Sequence, residues 1–275
     1  MAFRTERAGR GTPPQFLDIC QSRLSLLPWT ETRTRKLPGI NPVEEVRWLI
    51  RDDVFDLQMA YRDFLIDSRQ EAVFQSLPEG EPVARELLEH VLEAVGRDPA
   101  YRIDGSKVTR PVGEQVEVHE MHSLLAVGRL VQEDFCLMKR YRAEHFLVGG
   151  VLCFPASWML GEKMGRSLTT IHEPVTRYTP RIAAGVQRIF DNLRPGRVVF
   201  RANYLSYSNP NLHQPRSIDD RRDKNVQGDV WIRVERQTLR KLPDTEGIVF
   251  GIHTSVCRRE AVPGLDESLT AWQGL

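Results

Sequence analysis

The sequence contains few cysteines, and they lie far apart. Four of its 275 residues are cysteines, at Cys20, Cys136, Cys153 and Cys257, and none belongs to a CxxC pair. Iron–sulfur clusters need closely spaced cysteines, so none is expected. No leader with an apolar core precedes them, which favours a reducing, cytoplasmic setting.

The sequence also lacks a long apolar run and an excess of charge of one sign. Its longest uncharged run, Phe146–Gly161, contains two adjacent glycines and Pro155 and is too short to span a bilayer comfortably. The 38 basic and 37 acidic residues give a formal net charge of +1. We therefore expect neither a membrane nor a nucleic acid as partner.

Several common catalytic motifs are absent. The sequence contains no GxSxG, no Walker A motif and no GxGxxG. The segment VHEMH places His119 and His122 three residues apart around Glu120, whereas the zinc-binding HExxH motif needs a spacing of four. We do not expect a zinc site there.

Helical periodicity is clearest in the first hundred residues. Apolar residues recur at three- and four-residue steps from 41 to 66, with a break near Arg51, and a second helix is predicted from Pro82 to Gly96. Residues 98–118 are polar and predict no firm structure. The arginine-rich start predicts a flexible tail over residues 1–25, with an organelle-targeting segment as the alternative, and residues 26–275 are expected to form one domain.

The middle of the chain predicts a buried strand followed by a helix. The segment VLCFPASW is apolar and ends at Pro155, as a buried strand would. We expect Ser157 to cap a short helix after it. Four apolar residues then recur at helical spacing and form one stripe: Leu160, Met164, Leu168 and Ile171.

His172 follows this stripe directly, and Thr179 and Pro180 then form the N-cap and first position of another helix. Two interpretations of His172 are open. A histidine near a helix C-terminus commonly serves as a cap or core residue. Its place beside an apolar face also suits a haem ligand, which needs one side for iron and an apolar wall for the macrocycle.

The last third of the chain predicts strands. Residues two apart share one face of a strand, so Arg201 and Asn203 point one way, as do Arg233, Glu235 and Gln237. Helices followed by strands predict an α+β fold with an antiparallel sheet. The polar face is either a solvated outer face with cross-strand ion pairs or the wall of a polar pocket.

An ordered series of motifs resembles the haem-dependent oxidative N-demethylase family. The motifs are CFPxxW, EKxG, IHxPV, an RxN strand and RxERQTLR, and the resemblance spans roughly residues 26 to 258. The residues that carry it are Cys153, Phe154, Pro155, Trp158, Glu162, Lys163, Gly165, Ile171, His172, Pro174, Val175, Arg201, Asn203, Arg233, Glu235, Arg236, Gln237 and Leu239.

The resemblance implies a PAS-like antiparallel sheet with flanking helices and an N-terminal helical extension, enclosing a haem b. It also implies that dioxygen is activated at the haem iron and that a small methylated amine loses a methyl group as formaldehyde. The sequence has neither a dinucleotide fingerprint nor cluster-type cysteine spacing, so the electrons are expected from a separate reductase polypeptide.

The resemblance also implies roles for individual residues. His172 becomes the candidate axial ligand of the iron, and Trp158 a candidate cofactor contact. Four cations are candidates to pair with haem propionates: Arg201, Lys163, Arg233 and Arg236. Asn203 and Glu235 are candidate catalytic residues, with Glu235 either binding a substrate ammonium group or forming a buried ion pair with one of the arginines.

Two departures from the family pattern leave the substrate open. Thr176 and Arg177 stand before Tyr178, where relatives tend to have proline and glycine, and His253 occupies the last strand where another polar residue is expected. The alternatives to an enzyme are a PAS-like haem or ligand sensor without catalysis and a cofactor-free interaction subunit. The oligomeric state also stays open.

Overall fold

The computed structural model describes residues 19–30, 34, 40–173, 179–220, 228–262 and 264–265. Residues 1–18 of the tail expected over residues 1–25 lie outside the described residues, and so do the motif positions Pro174 to Tyr178. Ile19, within the expected tail, is fully buried, and the backbone amide of Gln21 donates a hydrogen bond of 2.8 Å to the carbonyl of Val256. Among the described residues, no helix has the length and apolarity needed to cross a membrane.

The fold is α+β, as the sequence predicts. A large antiparallel sheet has seven strands in the order β1–β8–β9–β10–β6–β7–β2, and a smaller sheet has the order β3–β4–β5. The strands are β1 Asn41–Val43, β2 Phe74–Ser76, β3 Arg102–Asp104, β4 Lys107–Thr109, β5 Gln115–Glu117, β6 Asp134–Tyr141, β7 Glu144–Val151, β8 Val198–Tyr207, β9 Trp231–Lys241 and β10 Ile248–Arg258.

Seven α-helices accompany these strands in the described chain. They are α1 Phe55–Ser68, α2 Gln70–Val73, α3 Glu81–Gly96, α4 Ser123–Leu130, α5 Leu160–Lys163, α6 Leu168–His172 and α7 Pro180–Asn192. The predicted helix from Pro82 to Gly96 is confirmed as α3. The predicted cap is confirmed too, because the Thr179 hydroxyl accepts the Ile182 amide at the start of α7.

The prediction of helical structure over residues 41–66, with a break near Arg51, is wrong in its first part. Asn41–Val43 pairs with β8 as an edge strand, a position where proline is tolerated, and the helix begins only at Phe55. Between them, the Asp52 carboxylate accepts the Val54 amide. Residues 98–118, for which no structure was predicted, contain the three short strands of the small sheet.

Each face of the large sheet packs on its own set of helices. One face, called here the core face, carries Phe135, Leu137 and Val249, which join the main hydrophobic core together with α3 and α4. The other, called the site face, carries a second apolar cluster shared with α5, α6 and α7. A sheet covered on both sides has buried side chains on both faces, and β9 is buried along almost its whole length.

A fully buried ion pair connects the helices to the sheet. Arg62 on α1 and Asp134 at the start of β6 are inaccessible to solvent, and their Nη1 and Oδ1 atoms lie 2.7 Å apart. The Asp134 carboxylate also accepts the backbone amides of Cys153 (2.7 Å) and Phe154 (2.8 Å), just after β7. Arg62 donates in addition to the Gly128 carbonyl of α4. One pair therefore fixes α1, α4, β6 and the turn after β7.

His253 belongs to a second buried polar group, on the core face. Its Nε2 lies 3.2 Å from Asp52 Oδ2, and its Nδ1 lies 3.5 Å from Glu133 Oε1. Burial alone lowers the pKa of His253, but the hydrogen bonds and charges of these two carboxylates outweigh burial and raise it to about 9. This histidine therefore carries a positive charge at neutral pH and joins the chain before α1 to β10.

Replacing Arg62 by methionine should lower the free energy of unfolding by about 3–5 kcal/mol, because Asp134 would keep a buried charge without its cation. Urea denaturation measures this loss. The control is Arg51→Met, which breaks a half-exposed pair with Asp98 and should cost less than about 1 kcal/mol. Equal losses in the two variants would contradict a special role for the buried pair.

The His253 cluster predicts a dependence of stability on pH. A folded-state pKa of about 9, above the ordinary value of 6.5, means that its stabilisation is complete below pH 6.5 and is lost as the pH rises to about 9. The loss should be about 3 kcal/mol over this range. His253→Gln should abolish this part of the slope in urea denaturation, whereas a variant of the exposed His119 should keep it. Parallel pH profiles for wild type and His253→Gln would refute the prediction.

Candidate functional site

The polar residues predicted to share a face meet in one buried row of the sheet. Strands β8 and β9 are neighbours, with Arg201 opposite Gln237 and Asn203 opposite Glu235. Asn203, Glu235 and Gln237 are exposed by only 5%, 7% and 8%. The interpretation as a solvated outer face is therefore wrong, because α5, α6 and α7 cover this side of the sheet.

Helix α7 covers the apolar part of the site face incompletely. Phe190 is its one fully buried residue among those described, although Ile182, Val186 and Ile189 continue the same stripe. These three side chains are half-buried, so each keeps apolar surface in contact with solvent. The stripe therefore has room to gain contacts with an apolar ligand.

The helix that carries His172 differs from the prediction. The expected single helix is two short ones, α5 and α6, because Gly165 has a φ of +70° between them. Ser157, the expected cap, itself has a φ of 65° and caps neither helix, whereas the Ser167 hydroxyl accepts the Thr170 amide at the start of α6. His172 is the last residue of α6.

The imidazole of His172 is held in one tautomer. Its Nδ1 lies 2.8 Å from the Leu168 carbonyl oxygen, which can only accept, so Nδ1 carries the proton and the lone pair is on Nε2. The pKa of His172 is lowered, mainly by burial and further by the charges of Lys163 and Arg201. A neutral imidazole with its second nitrogen fixed by a backbone carbonyl is the form that binds metals.

Arg201 is a buried cation with incomplete hydrogen bonding. Its Nε and Nη2 atoms are buried, and within the described residues neither has a hydrogen-bond partner. Burial lowers the pKa of Arg201, and the charge of Glu235 only partly offsets this. A buried guanidinium with two unused donors is costly unless an anion completes it.

Lys163 and Trp158 lie together on the same side of the site. The Lys163 ammonium is 4.5 Å from the centroid of the Trp158 ring, and burial lowers the pKa of Lys163. Trp158 packs against the apolar cluster of the site face. Lys163 lies near Cys136, which belongs to the same cluster. The structure thus brings together His172, Arg201, Lys163 and Trp158.

Glu235 forms the buried ion pair that was one of its two predicted roles. Its Oε1 is 3.3 Å from Arg233 Nε, and its Oε2 accepts Gln237 Nε2 at 3.0 Å. Arg233 also donates to the backbone carbonyls of Leu212 and Phe154. Arg233 is therefore fully engaged in positioning Glu235, and it has little capacity left for a further anion.

Arg236 is not brought to this site. It lies on the core face, where it donates to the carbonyls of Trp48 (3.0 Å) and Arg47 (2.6 Å) and covers the Phe200 ring. Successive side chains of a strand point to opposite faces, so Arg236 cannot share a face with Glu235. Applied strictly, this parity would have separated Arg236 from the other cations in the sequence.

Thr254 is a residue that the sequence did not single out. It lies directly opposite Glu235 on β10, and both Thr254 Oγ1 and Asn203 Oδ1 are buried without a hydrogen-bond partner in the described structure. Glu235 is therefore flanked by unused polar atoms on both neighbouring strands. The position of Thr254 beside Glu235 depends on the register between β9 and β10. The sequence of the turn that joins the two strands does not determine this register.

The charges of the site do not balance. Three of its side chains are cations, namely Lys163, Arg201 and Arg233. Among the described residues, Glu235 is the one carboxylate that is hydrogen-bonded to any of these three. The described residues hold no group of three or more His, Cys, Asp or Glu side chains placed for a metal ion. The site therefore suits a ligand with an apolar body and anionic groups that takes a single imidazole, rather than a bare metal ion.

A surface cleft lies away from these side chains. It has a volume of about 170 Å³, is bounded by Leu49, Phe55 and Tyr101, beyond the core face, and contains none of the predicted site residues. Its volume is also below the roughly 300–1,000 Å³ of typical small-molecule pockets. The candidate site is therefore identified from its side chains.

The comparison with known families agrees with these side chains. A family described as haem-dependent oxidative N-demethylase, alpha subunit-like, matches residues 39–268. The match spans most of the chain and includes every predicted site residue. The chain belongs to the haem-dependent oxidative N-demethylase alpha subunit-like family.

Proposed function

We propose that this protein is a catalytic haem subunit that removes a methyl group from a small methylated amine by oxidation. The observation that carries the proposal is the buried Arg201 guanidinium beside the neutral imidazole of His172, since Nε and Nη2 of Arg201 have no hydrogen-bond partner among the described residues. Family membership supplies the haem dependence and the reaction class. The seven-stranded antiparallel sheet suits the PAS-like architecture that the resemblance implies.

The residues of the site fit haem b. Nε2 of His172 would ligate the iron, and the half-buried stripe of α7 would lie against the macrocycle. Arg201 and Lys163 would pair with the two propionates, which offsets the positive charge of the site. The absence of a CxxCH motif in the sequence favours non-covalent haem b over a c-type haem.

When bound, haem supplies the iron at which dioxygen is activated with electrons from a separate reductase. The overall reaction uses one dioxygen, two electrons and two protons. It converts the N-methyl group to formaldehyde and leaves the demethylated amine and one water. The chain's own contribution is to bind the amine, orient its methyl group and keep bulk water out.

Glu235 is the group that would bind the cationic amine. Its carboxylate is held on one side by Arg233 and on the other by Gln237, so its position is fixed before substrate arrives. Because the positive charge of Arg233 offsets the negative charge of Glu235, Glu235 alone attracts a cation weakly. Asn203 Oδ1 and Thr254 Oγ1, on the strands either side, would accept further N–H groups of the amine and complete its binding.

Substituting His172 by alanine should remove or shift the Soret band of protein expressed with a haem precursor, since Nε2 would no longer ligate the iron. Absorption spectra of oxidised protein, and of reduced protein with carbon monoxide, measure this. The exposed His119→Ala serves as control and should match wild type. A wild-type protein without any Soret band would refute the proposal and favour a cofactor-free subunit. A normal haem spectrum without amine-dependent oxygen consumption would favour a sensor.

Replacing Arg201 by methionine should separate a binding role from a structural one. Haem affinity should fall about 10- to 100-fold, the typical value for a lost charge-assisted hydrogen bond. The haem-free protein should keep or gain stability, because an unsatisfied buried cation is removed. Arg233→Met is the matched control on the same face and should destabilise the haem-free protein, since Glu235 loses its partner. Haem titration and urea denaturation measure the two effects, and a destabilised Arg201→Met with unchanged haem affinity would reverse the assignment.

A further inference from the structure

One end of the large sheet carries a concentration of arginines. This surface, called here the basic end, consists of the β6–β7 turn (139–144) and of α7 with the turn that follows it (180–197). We infer that the basic end is the docking surface for an acidic electron-transfer protein. The inference rests on the proposed function, which requires electrons from another polypeptide.

The two parts of the basic end are in contact. Arg140 Nη1 lies 3.4 Å from Asp191 Oδ1 on α7, and Gln187 is 2.9 Å from the ring of His145 at the start of β7. The rings of His145 and Phe190 also pack, with centroids 5.3 Å apart. The charges of the turn and of the helix therefore form one continuous surface.

The basic end has far more positive charge than the protein as a whole. Its two segments contain seven basic and two acidic residues, a net charge of +5, whereas the entire chain has +1. The remaining residues are therefore net acidic. Protein surfaces usually intersperse the two signs, and a field of one sign over a small area attracts a partner of opposite charge.

Only some of these cations have an acidic neighbour, and Glu246 before β10 lies near Arg140. Arg140 is paired with Asp191, but within the described chain no ion pair involves the exposed side chains of Arg188, Arg194 or Arg197. Arg142 likewise stacks on the Tyr141 ring instead of binding a carboxylate. Among the described residues, these guanidinium groups are therefore available to the carboxylates of a partner.

Tyr141 is a large exposed aromatic residue on the basic end. Its side chain projects from the tip of the β6–β7 turn with 62% of its surface exposed, beneath the Arg142 guanidinium. Arg142 also adopts a φ of 56°, a left-handed conformation in which arginine is uncommon. Exposed tyrosine and arginine are the residue types that dominate binding energy at protein interfaces.

The location suits electron delivery. Helix α7 has 13 residues and is thus about 20 Å long. Its apolar stripe faces the proposed haem site, and its C-terminal end forms part of the basic end. A partner docked there would contact the same helix that lines the cofactor. Electron-transfer complexes use small, charged interfaces that form quickly and separate quickly, which a patch of this kind provides.

The test compares reversal of charge at the basic end with the same reversal elsewhere. The first variant is Arg188→Glu with Arg194→Glu and Arg197→Glu. The matched control replaces three other exposed arginines on or beside the helices of the core-face side and the small sheet, by Arg69→Glu, Arg85→Glu and Arg102→Glu. The probe is an acidic plant-type ferredoxin, and its binding to each protein is measured by surface plasmon resonance.

We expect wild type and the control triple to bind the ferredoxin equally, and the basic-end triple to bind it at least about tenfold more weakly. Raising the salt from about 0.1 M to about 1 M shortens the Debye length from about 10 Å to about 3 Å and should abolish the difference. In the haem-loaded proteins, reduction by ferredoxin should slow only in the basic-end triple, while reduction by dithionite should be unchanged.

Three outcomes would overturn the inference: unaltered ferredoxin binding by the basic-end triple, equal weakening in both triples, or tighter binding of a short DNA duplex than of ferredoxin at the basic end. The proposed function is checked separately by the Soret band. If the band is missing but the binding results hold, the haem proposal fails and the acidic-protein surface remains.

Discussion

The buried pair of Arg62 and Asp134 is the interaction on which the site most depends. Asp134 fixes the backbone of Cys153 and Phe154, and the Phe154 carbonyl in turn accepts a hydrogen bond from Arg233. Arg233 then holds Glu235. A charge pair buried against α1 thus determines the position of the carboxylate at the centre of the site face. Such pairs add little net stability compared with apolar packing, but they allow few alternative arrangements.

Much of the fold could be predicted from the sequence where the signal is local. Thr179 followed by Pro180 marks the start of α7, and the alternation in β8, β9 and β10 marks those strands, because caps and periodicity act over a few residues. The break at Gly165 could not be predicted from the apolar stripe, since the spacing of Leu160, Met164, Leu168 and Ile171 is the same for one helix or two. The pairing of Asn41–Val43 with β8 depends on residues more than 150 positions away and leaves no local trace.

The site was predicted in part for the same reason. Motif resemblance gathered His172, Arg201, Lys163 and Glu235, and the structure places them on one side of the sheet. What the sequence could not supply is which polar atoms remain without partners, and that is a tertiary property. Arg201 and Arg233 are equivalent in strand parity, yet one is fully bonded and the other is not. The uncompensated positive charge at Arg201 can therefore be recognised only from the three-dimensional structure.

Because β9 is buried on both faces, the residues of its motif have two separate structural roles. In the segment RVERQTLR, Arg233, Glu235 and Gln237 serve the site, while Arg236, Thr238 and Arg240 pack among the residues of the core face. The two sets therefore have different partners. A relative that kept only the scaffold should retain Arg236 and Arg240 on the core face. It could lose Arg233 and Glu235 only together, because the loss of one partner alone would leave a buried charge unpaired.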